Sequence, residues 1–431
     1  MKGNQSRRDF LKLAAAGTLV GADAVFADSK DAKGAHVVVI GGGFGGATAA
    51  KYIKKFAPDI KVTLIEGNKE YVTCPGSNWV IGGLREISDI TFNYDTLKSA
   101  YGVEVINDWV TEIDPEGKKV SLKGGSSVTY DRLVVSPGIA FRDDIEGYDD
   151  AAMQVMPHAW KAGPQTTLLR DKVRAMDDGG TVIIAPPANP FRCPPGPPER
   201  VSMIANYLKQ NKPKSKILIL DAKNGFSKQG LFEAAWKKYY GYGEGGMIEI
   251  IRGPQVGAVT AVDAKNMSVV AGEFEDTHKA DVINVIPAQV AGDIAQKAGL
   301  TDDSGWCPVD YQTAESTLHK GIHVIGDAAI QSPLPKSGFA ANSEAKVCAA
   351  NVVALLQGQE PVDPSWVNTC YSLVTPQHGI SVAMVYGMKE GKAAGVEGAG
   401  GLSDPENAAA GPLEALYAQA WYTSITKDMF T

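Results

Sequence analysis

The sequence predicts an α/β protein with two parallel sheets, helices between their strands, and a further C-terminal domain. Three observations lead to this fold class. Two stretches, 36–65 and 181–221, have the strand–helix–strand order that is typical of parallel sheets. The first stretch carries a glycine-rich loop. A short β-branched strand that ends in Gly326-Asp327 follows much later in the chain.

The composition is that of an ordinary globular chain. Its 431 residues allow two or three domains with their own cores, and 44% of them are hydrophobic while 21% are charged. The net charge of −7 argues against nucleic acid as the main partner, because phosphate binding needs a basic surface. Five cysteines in a chain of this length are too few for a disulfide scaffold.

The N-terminus has the pattern of an export signal. Arg7 and Arg8 precede a short apolar run at 13–20, and Ala27 ends a small-residue cleavage site. A membrane anchor and a disordered basic tail are the alternatives, but the run is shorter than the roughly 20 residues that span a bilayer. We therefore expect residues 1–27 to be a twin-arginine signal peptide. The mature protein would then be periplasmic and exported already folded, with its cofactor bound.

A glycine-rich loop joins the first predicted strand to the first helix. The strand His36–Ile40 is followed by Gly41, Gly43 and Gly46, and a second strand ends at Glu66. Glycines at this spacing permit a tight turn, close approach of the backbone to a pyrophosphate, and close helix packing. An acid about 20 residues further on accepts hydrogen bonds from ribose hydroxyls. The order predicts a Rossmann-like dinucleotide-binding domain, and a glycine-rich turn in another α/β unit is the alternative.

Two later segments indicate which dinucleotide binds. The strand that ends in Gly326-Asp327 resembles the second flavin motif of flavoproteins with two dinucleotide domains, in which the Asp holds the ribityl chain. The segment that ends at Gly138 resembles the strand and glycine through which the chain leaves the FAD domain. Because these segments follow the Gly41 loop in the expected order, the sequence predicts FAD rather than NAD there.

The second strand–helix–strand unit lacks a phosphate-binding loop. Strands predicted at 181–185 and 216–220 flank a helix predicted at 199–210, and Asp221 follows the second strand. The connecting segment 186–198 is filled with prolines, which lack the N–H donors that a phosphate needs and cannot adopt positive φ. We expect an NAD-like domain without its phosphate loop, and no nicotinamide substrate.

These features divide the chain into five predicted parts. In chain order they are the signal peptide at 1–27, the first part of the FAD-binding domain at 35–145, the NAD-like domain at 146–288, the second part of the FAD-binding domain at 289–356, and a C-terminal interface domain at 357–431. Within the last part, 413–422 predicts an amphipathic aromatic helix, which either packs on the core or forms a docking or lid surface.

The cysteines differ in their surroundings. Cys348 lies among alanines on a predicted helix and Cys307 follows a tryptophan, so both are expected to be packed thiols. Cys193 lies in the proline-filled loop, next to Arg192 and before a helix N-terminus, which favours thiolate character. Structural and redox roles for Cys193 both remain open from these residues alone. The cysteine spacings match neither a zinc site nor a covalent haem motif.

The segments around the cysteines carry a more specific resemblance. They read Tyr-x-Thr-Cys at 71–74, Phe-Arg-Cys-Pro-Pro-Gly-Pro at 191–197, Gly-Trp-Cys-Pro-Val-Asp at 305–310, Gly-Ile-His-Val-Ile-Gly-Asp at 321–327 and Asn-Thr-Cys-Tyr-Ser at 368–372. Over essentially the whole mature chain, the sequence resembles the flavoprotein subunit of flavocytochrome c sulfide dehydrogenase.

This resemblance implies roles for three cysteines. Cys74 is similar to the cysteine that a thioether joins to the flavin 8α carbon, and Cys193 and Cys370 are similar to a redox-active disulfide that faces the flavin. The sequence departs from the family pattern at Pro75 and Pro198, which leaves the geometry of those two loops open. A purely structural disulfide, common in exported proteins, is the alternative.

The resemblance also implies a reaction. Hydrosulfide attacks one sulfur of the disulfide to give a persulfide and a thiolate, the thiolate passes electrons to the flavin, and a second sulfur donor releases zero-valent sulfur or polysulfide. Glu199 either moves the proton or is a simple acid at a helix N-terminus. A helix that begins near Gly338 is expected to point at the flavin N1/O2 edge. Lys336 adds charge there or is a solvated lysine.

The electrons then need an acceptor. The sequence has no haem motif and no second cofactor motif, so a c-type cytochrome subunit is the implied partner. A sulfide:quinone oxidoreductase is the first alternative, although the C-terminus is polar for a membrane face. An NADH dehydrogenase-like flavoenzyme is the second, and the proline-filled loop argues against it. A non-catalytic flavin-fold binding or assembly protein is the third.

Overall fold

A computed structural model of the chain describes residues 32–431. The predicted signal peptide at 1–27 lies outside the described residues. The segments that sequence analysis identified as strands are strands here, with the same bounds for His36–Ile40, Lys61–Ile65 and Thr181–Ala185. These runs are rich in Val and Ile, whose β-branched side chains pack well on a sheet.

The first part of the described chain alternates strands and short helices. Its strands are β1 (His36–Ile40), β2 (Lys61–Ile65), β3 (Tyr71–Val72), β4 (Thr91–Phe92), β5 (Glu104–Ile106), β6 (Val110–Asp114), β7 (Lys119–Leu122), β8 (Ser127–Thr129), β9 (Arg132–Val135) and β10 (Ile139–Phe141). Its helices are α1 (Phe44–Phe56), α2 (Ser77–Ile81) and α3 (Asp95–Tyr101), with a 3₁₀ turn at Ile87–Ile90.

The middle part has a second set of alternating elements. Its helices are α4 (Asp150–Val155), α5 (Pro164–Ala175), α6 (Gly196–Asn211), α7 (Gln229–Tyr239) and α8 (Asp293–Lys297). Its strands are β11 (Thr181–Ala185), β12 (Lys216–Asp221), β13 (Ile248–Arg252), β14 (Val259–Asp263), β15 (Ser268–Ala271), β16 (Asp276–Lys279), β17 (Val282–Val285) and β18 (Gln289–Ala291).

The last part returns to the first sheet and then adds a C-terminal layer. Its strands are β19 (Cys307–Pro308), β20 (Ile322–Val324), β21 (Ala329–Ile330), β22 (Ser365–Thr375), β23 (His378–Lys389) and β24 (Lys392–Leu402). Its helices are α9 (Gly338–Leu356) and α10 (Ala410–Phe430), and a 3₁₀ turn covers Gly326–Ala328.

Two parallel sheets form the centre of the molecule. The first has the strand order β20-β9-β1-β2-β5, and the second has the order β13-β12-β11-β17, with every pairing parallel. Because β20 pairs with β9, the Gly326-Asp327 motif returns to the sheet that carries the glycine loop. The predicted fold class, with two Rossmann-like sheets and a C-terminal layer, is confirmed.

Helix α6 begins earlier than the sequence predicted. Its first residue is Gly196 rather than Glu199, because Pro197 and Pro198 lie in the first turn. Proline is tolerated there, since the N–H groups of the first turn have no partner inside a helix. The proline-filled connection is therefore shorter, and Glu199 lies inside the helix.

The C-terminal layer is an antiparallel sheet covered by a long helix. Strands β22, β23 and β24 pair in that order, and α10 packs against them. Helix α10 runs from Ala410 to Phe430, well beyond the predicted 413–422. It buries Tyr422 and Phe430 while Leu416 is 65% exposed, so it serves the core and also presents an apolar face.

Two negative findings concern residues 32–431 only. No helix in this range is long and apolar enough to cross a membrane. Within the same range, no group of three or more His, Cys, Asp or Glu side chains is arranged to hold a metal ion.

Candidate functional site

The glycine loop forms a backbone cradle at the N-terminus of α1. Gly41 has φ of +92°, and a Cβ on Gly46 would lie 1.8 Å from the Gly41 carbonyl oxygen. Gly43 precedes the helix, and no side chain caps its first turn. The first N–H groups of α1 therefore remain available to an anion, as the phosphate-binding prediction requires.

Glu66 lies directly over this cradle at the end of β2. Its Oε2 atom accepts a hydrogen bond from the Gly42 N–H at 2.8 Å. Its Oε1 atom accepts hydrogen bonds from the backbone and side chain of Asn68, at 2.9 and 3.0 Å. The carboxylate is thus held beside the loop, in the position from which it would accept ribose hydroxyls, and that contact stays a prediction.

The Gly326-Asp327 motif is held by a buried acid and a partly buried arginine. Gly326 has φ of +73°, and its N–H donates to Oε2 of Glu344 at 2.8 Å. Burial raises the pKa of Glu344 to about 7. The Asp327 carboxylate lies 3.8 Å from the Arg192 guanidinium, which connects this motif to the Cys193 loop. Gly138 is also left-handed, with φ of +65°, and its carbonyl accepts from the Gly292 N–H at 3.0 Å.

Lys336 is not a solvated lysine. Its Nζ donates to the Asp327 and Ala329 carbonyls at 2.7 and 2.8 Å and lies 3.8 Å from the centre of the Trp306 ring. Burial lowers the pKa of Lys336 to about 8. The solvated interpretation is therefore wrong, because two backbone carbonyls and the Trp306 ring surround the ammonium group. A role toward the cofactor stays a prediction.

Helix α9 begins where the sequence predicted. Ser337 caps it, since its Oγ accepts from the Ala340 N–H at 3.0 Å and donates to Asn368 Oδ1 at 2.6 Å. The start at Gly338 is confirmed, and the cap fixes the helix against β22, the strand that carries Cys370.

Cys74 lies between β3 and α2 and faces the segment before α5. Its Sγ is 3.4 Å from the Trp160 carbonyl oxygen, and its own carbonyl accepts from Ser77 Oγ at 2.6 Å. The Pro75 carbonyl accepts from Thr73 Oγ1 at 2.7 Å. The loop therefore closes around Cys74 with its backbone groups satisfied and with Pro75 in place.

Cys193 lies in a strained backbone position at the start of α6. Its φ is +55°, its N–H donates to the Lys336 carbonyl at 2.6 Å, and its carbonyl accepts from the Gly196 N–H at 2.8 Å. Burial raises the pKa of the Cys193 thiol, and negative charge at Cys370 and Glu199 would raise it further.

The expected thiolate character of Cys193 is therefore wrong. The charge of Arg192 opposes the upward shift of the pKa but acts least strongly among its causes. The guanidinium instead donates to the Trp160 carbonyl and approaches Asp327. The prediction considered only Arg192 and the helix N-terminus. Burial, Cys370 and Glu199 have larger effects on the pKa of the Cys193 thiol.

Cys370 is in the middle of β22, where it is partly exposed. The Asn368 amide lies 3.4 Å from its Sγ, and its carbonyl accepts from Lys228 Nζ at 2.8 Å. Cys370 and Cys193 are close enough for one charge to act on the other. All five cysteines are free thiols in this structure, so the disulfide between Cys193 and Cys370 stays a prediction.

Glu199 is a buried acid that three donors hold. Its carboxylate accepts from Asn78 Nδ2 at 2.9 Å, from Trp79 Nε1 at 3.1 Å and from the Leu373 N–H at 2.9 Å. All three donors belong to other elements, so Glu199 does not cap its own helix. Burial raises its pKa, and the hydrogen bonds oppose that shift. Glu199 still lies in the first turn of α6, so the proton-transfer role and the helix N-terminal role both stay predictions.

Arg200 is a charged site residue that sequence analysis missed. It is 1% exposed, and its guanidinium donates to Asn78 Oδ1 at 3.1 Å and to Asn284 Oδ1 at 2.8 Å. It also donates to the His158 and Ala159 carbonyls at 3.1 and 2.5 Å. Arg200 thereby ties α2, α6 and β17 together behind the cysteines. In the sequence, its position next to Glu199 was the only indication that Arg200 belongs to the site.

The second dinucleotide position is closed by protein side chains. Asp221, at the end of β12, forms a buried ion pair with Lys223 at 2.6 Å, and Lys223 also donates to the Pro187 carbonyl at 2.8 Å. The Lys223 ammonium lies 5.0 Å from the centre of the Phe191 ring. A cavity of about 390 Å³ remains beside these residues. The acid that would hold a nicotinamide dinucleotide is thus already paired.

The remaining cysteines and a second cavity lie outside this site. Cys307 and Cys348 are fully buried, as expected for packed thiols. A cavity of about 710 Å³ lies between α6, α7 and the C-terminal layer, with Tyr239 and His378 among its walls, and none of the five cysteines lines it.

The residues present fit a flavin dinucleotide. A Cβ on any of the three loop glycines would meet protein atoms at 3.1 Å or less, so the cradle exists only because of its glycines. Among the described residues, two buried donors beside the Cys193 loop have no hydrogen-bond partner: Trp160 Nε1 and Gln289 Nε2. Buried donors are normally satisfied, so unpaired ones at a site indicate a missing acceptor.

Three family models match successive parts of the chain. The pyridine nucleotide-disulphide oxidoreductase model matches residues 35–173. The model for the central domain of the sulfide dehydrogenase (flavocytochrome c) flavoprotein chain matches 166–287. The flavin-binding model of flavocytochrome c sulphide dehydrogenase matches 362–430.

Several curated relatives have names that refer to the oxidation of sulfide. The sulfide dehydrogenase (flavocytochrome c) flavoprotein chain of Chlorobaculum thiosulfatiphilum is 61% identical over 45 residues, which are 94% of that sequence and 10% of this one. The mitochondrial sulfide:quinone oxidoreductase of Mus musculus is 22% identical over 372 residues, 81% of this chain and 77% of that protein. A match of 32% identity to the sulfide-quinone reductase of Aquifex aeolicus spans 28% of each chain.

Solved structures share the fold. The sulfide:quinone oxidoreductase of Aquifex aeolicus superposes with a TM-score of 0.72 at 18% identity, over 91% of this chain and 92% of that one. An NAD-dependent persulfide reductase from A. fulgidus gives a TM-score of 0.59 at 18% identity, over 91% and 77%. These likenesses confirm the α/β fold with its two parallel sheets, and the family models and the 61% identical relative go further. This chain belongs to the family of the flavocytochrome c sulfide dehydrogenase flavoprotein chain, an FAD-dependent oxidoreductase family that acts on sulfide.

Proposed function

We propose that this protein is the flavoprotein of a periplasmic sulfide dehydrogenase. It oxidises hydrosulfide to zero-valent sulfur or polysulfide at Cys193 and Cys370 and passes the electrons through bound FAD to a c-type cytochrome subunit. The observation that carries the proposal is the convergence of three cysteines from distant segments. The Trp160 carbonyl lies 3.4 Å from Cys74 Sγ and also accepts a hydrogen bond from Arg192, the residue before Cys193. The Glu199 carboxylate, on the helix that follows Cys193, accepts from the Leu373 N–H of the strand that carries Cys370, so contacts connect all three segments.

The chain's own residues account for the sulfur chemistry. In the oxidised protein, hydrosulfide attacks one sulfur of a Cys193–Cys370 disulfide, which gives a persulfide on one cysteine and a thiolate on the other. Glu199, whose pKa is raised, holds or releases the proton beside them. FAD, when bound, supplies a two-electron acceptor that can pass its electrons on singly. A second sulfur donor then releases the oxidised sulfur from the persulfide.

The cofactor would be held at four places along the chain. The cradle of Gly41, Gly43 and Gly46 would bind the pyrophosphate, and Glu66 would bind the adenosine ribose. The Gly326-Asp327 motif would bind the ribityl chain. Cys74 would carry the flavin through a thioether, which would prevent its loss in a compartment where no flavin is made.

The cytochrome acceptor and the compartment rest on separate grounds. The name of the 61% identical relative, a flavocytochrome c chain, supports a c-type cytochrome partner. The twin-arginine pattern of residues 1–27 supports export to the periplasm. Detection of the mature protein in a periplasmic fraction, and its absence there when Arg7 and Arg8 are both changed to Lys, would test the compartment.

A quinone is the second candidate acceptor. The curated relatives that align over most of this chain are named sulfide:quinone oxidoreductases, at 22% identity. The exposed Leu413, Leu416 and Tyr417 on α10 form an apolar face that a membrane surface could also contact. This candidate predicts turnover with a soluble quinone analogue.

One anaerobic experiment tests the reaction and then the acceptor. Sulfide is expected to bleach the visible flavin absorbance of the FAD-loaded protein, and cytochrome c is expected to restore it. Cys193→Ser and Cys370→Ser should abolish bleaching, while Cys348→Ala, a packed thiol on α9, should leave it intact. No bleaching by sulfide contradicts the proposal, and reoxidation by a quinone analogue but not by cytochrome c favours the second candidate.

A further inference from the structure

Lys228 is a buried lysine that no step of the proposed function uses. It immediately precedes α7 and is 7% exposed. Its Nζ donates to the Cys370 carbonyl and to the Ser372 hydroxyl, both at 2.8 Å, and approaches the Ile380 carbonyl at 3.4 Å. All three partners are neutral, and all belong to the C-terminal sheet that carries Cys370.

Two of the groups that interact electrostatically with Lys228 are cysteines. None of the ion pairs formed by residues 32–431 includes it. The groups whose negative charge acts on it are, in decreasing order, Cys370, Glu199, Cys193 and Glu414. A buried cation without a carboxylate in contact is costly, and a negative charge that forms beside it removes much of that cost. Lys228 places its charge on the backbone carbonyl of Cys370, beside any negative charge that forms on that residue.

The surroundings of Cys193 have the opposite effect. Burial raises the pKa of the Cys193 thiol, with Cys370 and Glu199 adding to the shift. Arg192 turns its guanidinium toward the Trp160 carbonyl and Asp327, so it compensates little. Burial thus disfavours a negative charge at Cys193, whereas Lys228 contacts the carbonyl of Cys370.

We propose that Lys228 is a positioning residue that makes Cys370 the leaving thiolate and thereby directs hydrosulfide to the Sγ atom of Cys193. This inference rests on the proposed function and adds the order in which the two cysteines react. In an exchange of this kind, the sulfur whose thiolate is more stable leaves. The charge of Lys228 acts more strongly on the cysteine that leaves than on the one that accepts the sulfur.

The step balances in atoms and electrons. The S–S bond between Cys193 and Cys370 breaks, and a new S–S bond forms between Cys193 Sγ and the attacking sulfur. The hydrosulfide sulfur is oxidised, and the Cys370 sulfur is reduced to a thiolate. One negative charge enters with hydrosulfide and the same charge remains on Cys370, beside the Lys228 ammonium. The proton of hydrosulfide stays on the persulfide or passes to Glu199.

Mapping the persulfide in the unmodified protein tests this order directly. The FAD-loaded protein is mixed anaerobically with one equivalent of sulfide, quenched with iodoacetamide, and digested for peptide mass spectrometry. The additional sulfur is expected on the Cys193 peptide, with a plain alkylated thiol on the Cys370 peptide. An additional sulfur on Cys370 would overturn the inference. If sulfide neither bleaches the flavin nor adds sulfur, the proposed function fails instead.

Variants test whether Lys228 is the cause. Lys228→Met removes the charge and keeps much of the side-chain length, Lys228→Arg keeps the charge, and Lys237→Met removes an exposed charge from the same helix. In the reduced, FAD-loaded protein at pH 7, alkylation of Cys370 by iodoacetamide is expected to slow about tenfold in Lys228→Met. Lys237→Met should match the parent, and Lys228→Arg should restore most of the rate.

Equal alkylation rates in Lys228→Met and the parent would show that the lysine has only a structural role. Flavin content and circular dichroism establish whether Lys228→Met folds. If it does not fold, the persulfide map of the unmodified protein still decides the order of the two cysteines, since it needs no variant.

Discussion

The Nζ atom of Lys223 lies 2.6 Å from Oδ1 of Asp221, and both side chains are buried at the end of β12. Asp221 is in the position from which a dinucleotide domain presents an acid to a ribose. Because Lys223 also donates to the Pro187 carbonyl, a nucleotide would have to break both contacts to reach the acid. The second parallel sheet therefore keeps the fold of a nucleotide domain without a free site.

This pairing predicts that nicotinamide cofactors do not reduce the flavin. Anaerobic NADH or NADPH, even in large excess, is expected to leave the flavin absorbance unchanged in the preparation that sulfide bleaches. The proline-filled loop has the same consequence, since it offers few N–H donors to a pyrophosphate. Rapid bleaching by NADH would instead favour the NADH dehydrogenase-like alternative.

The same ion pair predicts a stability effect. Lys223→Met leaves the Asp221 carboxylate buried and unpaired, which is expected to lower the free energy of unfolding by about 3–5 kcal/mol. The double variant Asp221→Asn with Lys223→Met removes the orphaned charge, so it should recover most of that loss. Urea unfolding of the parent, both single variants and the double variant measures the coupling. Additive effects of the two substitutions would contradict it.

The raised pKa of Glu344 predicts that the free energy of unfolding depends on pH. Burial raises its pKa from 4.5 to about 7, so the folded protein binds this proton more tightly than the unfolded chain. The resulting stabilisation is fully present below about pH 4.5 and is lost as the pH rises through about 7. The shift corresponds to a loss of up to about 3 kcal/mol across that interval.

The variant Glu344→Gln isolates this contribution. Its amide oxygen still accepts the Gly326 N–H, but it does not titrate. Relative to the parent, the variant should gain up to about 3 kcal/mol between pH 4.5 and pH 7.5 in urea unfolding of the FAD-loaded protein. The difference between the two curves removes the contribution of titrating groups that do not interact with Glu344. Parallel curves would mean that Glu344 does not titrate in this interval.

The parts of the fold and site that depend on local signals were predictable. The strand His36–Ile40 and the glycine loop follow from β-branched runs and from a spacing that few structures share. The start of α9 at Gly338 follows Ser337, a residue type that commonly caps helices. Each of these features depends on a few consecutive residues, so it can be predicted from a single sequence.

The other parts depend on contacts between distant segments. Arg200 contacts side chains that are 84 and 122 residues away in the chain, and Lys228 contacts a carbonyl 142 residues away. Nothing in the local sequence indicates that either cation is buried. The pKa of Cys193 was misjudged for the same reason, because burial and the neighbouring Cys370 outweigh the adjacent Arg192. Site electrostatics follow from the fold rather than from chain neighbours.

If Cys74 carries the flavin through a thioether, denaturation of the protein should not release the flavin. After acid precipitation of the mature protein, the yellow colour is expected to stay with the pellet, and mass spectrometry should find the flavin on the Cys74 peptide. Cys74→Ser should bind flavin without a covalent bond and lose it on precipitation. The matched substitution Cys307→Ser, at a buried thiol of β19, should keep the flavin attached. A bare thiol on the Cys74 peptide of the parent would exclude the thioether.

Substitution of Gly46 is expected to disrupt cofactor binding at the glycine loop itself. A Cβ on this residue would lie 1.8 Å from the Gly41 carbonyl oxygen, so Gly46→Ala must push α1 away from the loop. We expect FAD loading to fall to a small fraction of the parent's and the free energy of unfolding to fall by about 3 kcal/mol. Gly230→Ala is the matched control, because a Cβ there meets nothing within 4 Å and the residue lies in α7. The control should retain full flavin content and gain up to about 1 kcal/mol from the better helix propensity of alanine. Normal flavin loading in Gly46→Ala would mean that the cradle does not hold the dinucleotide.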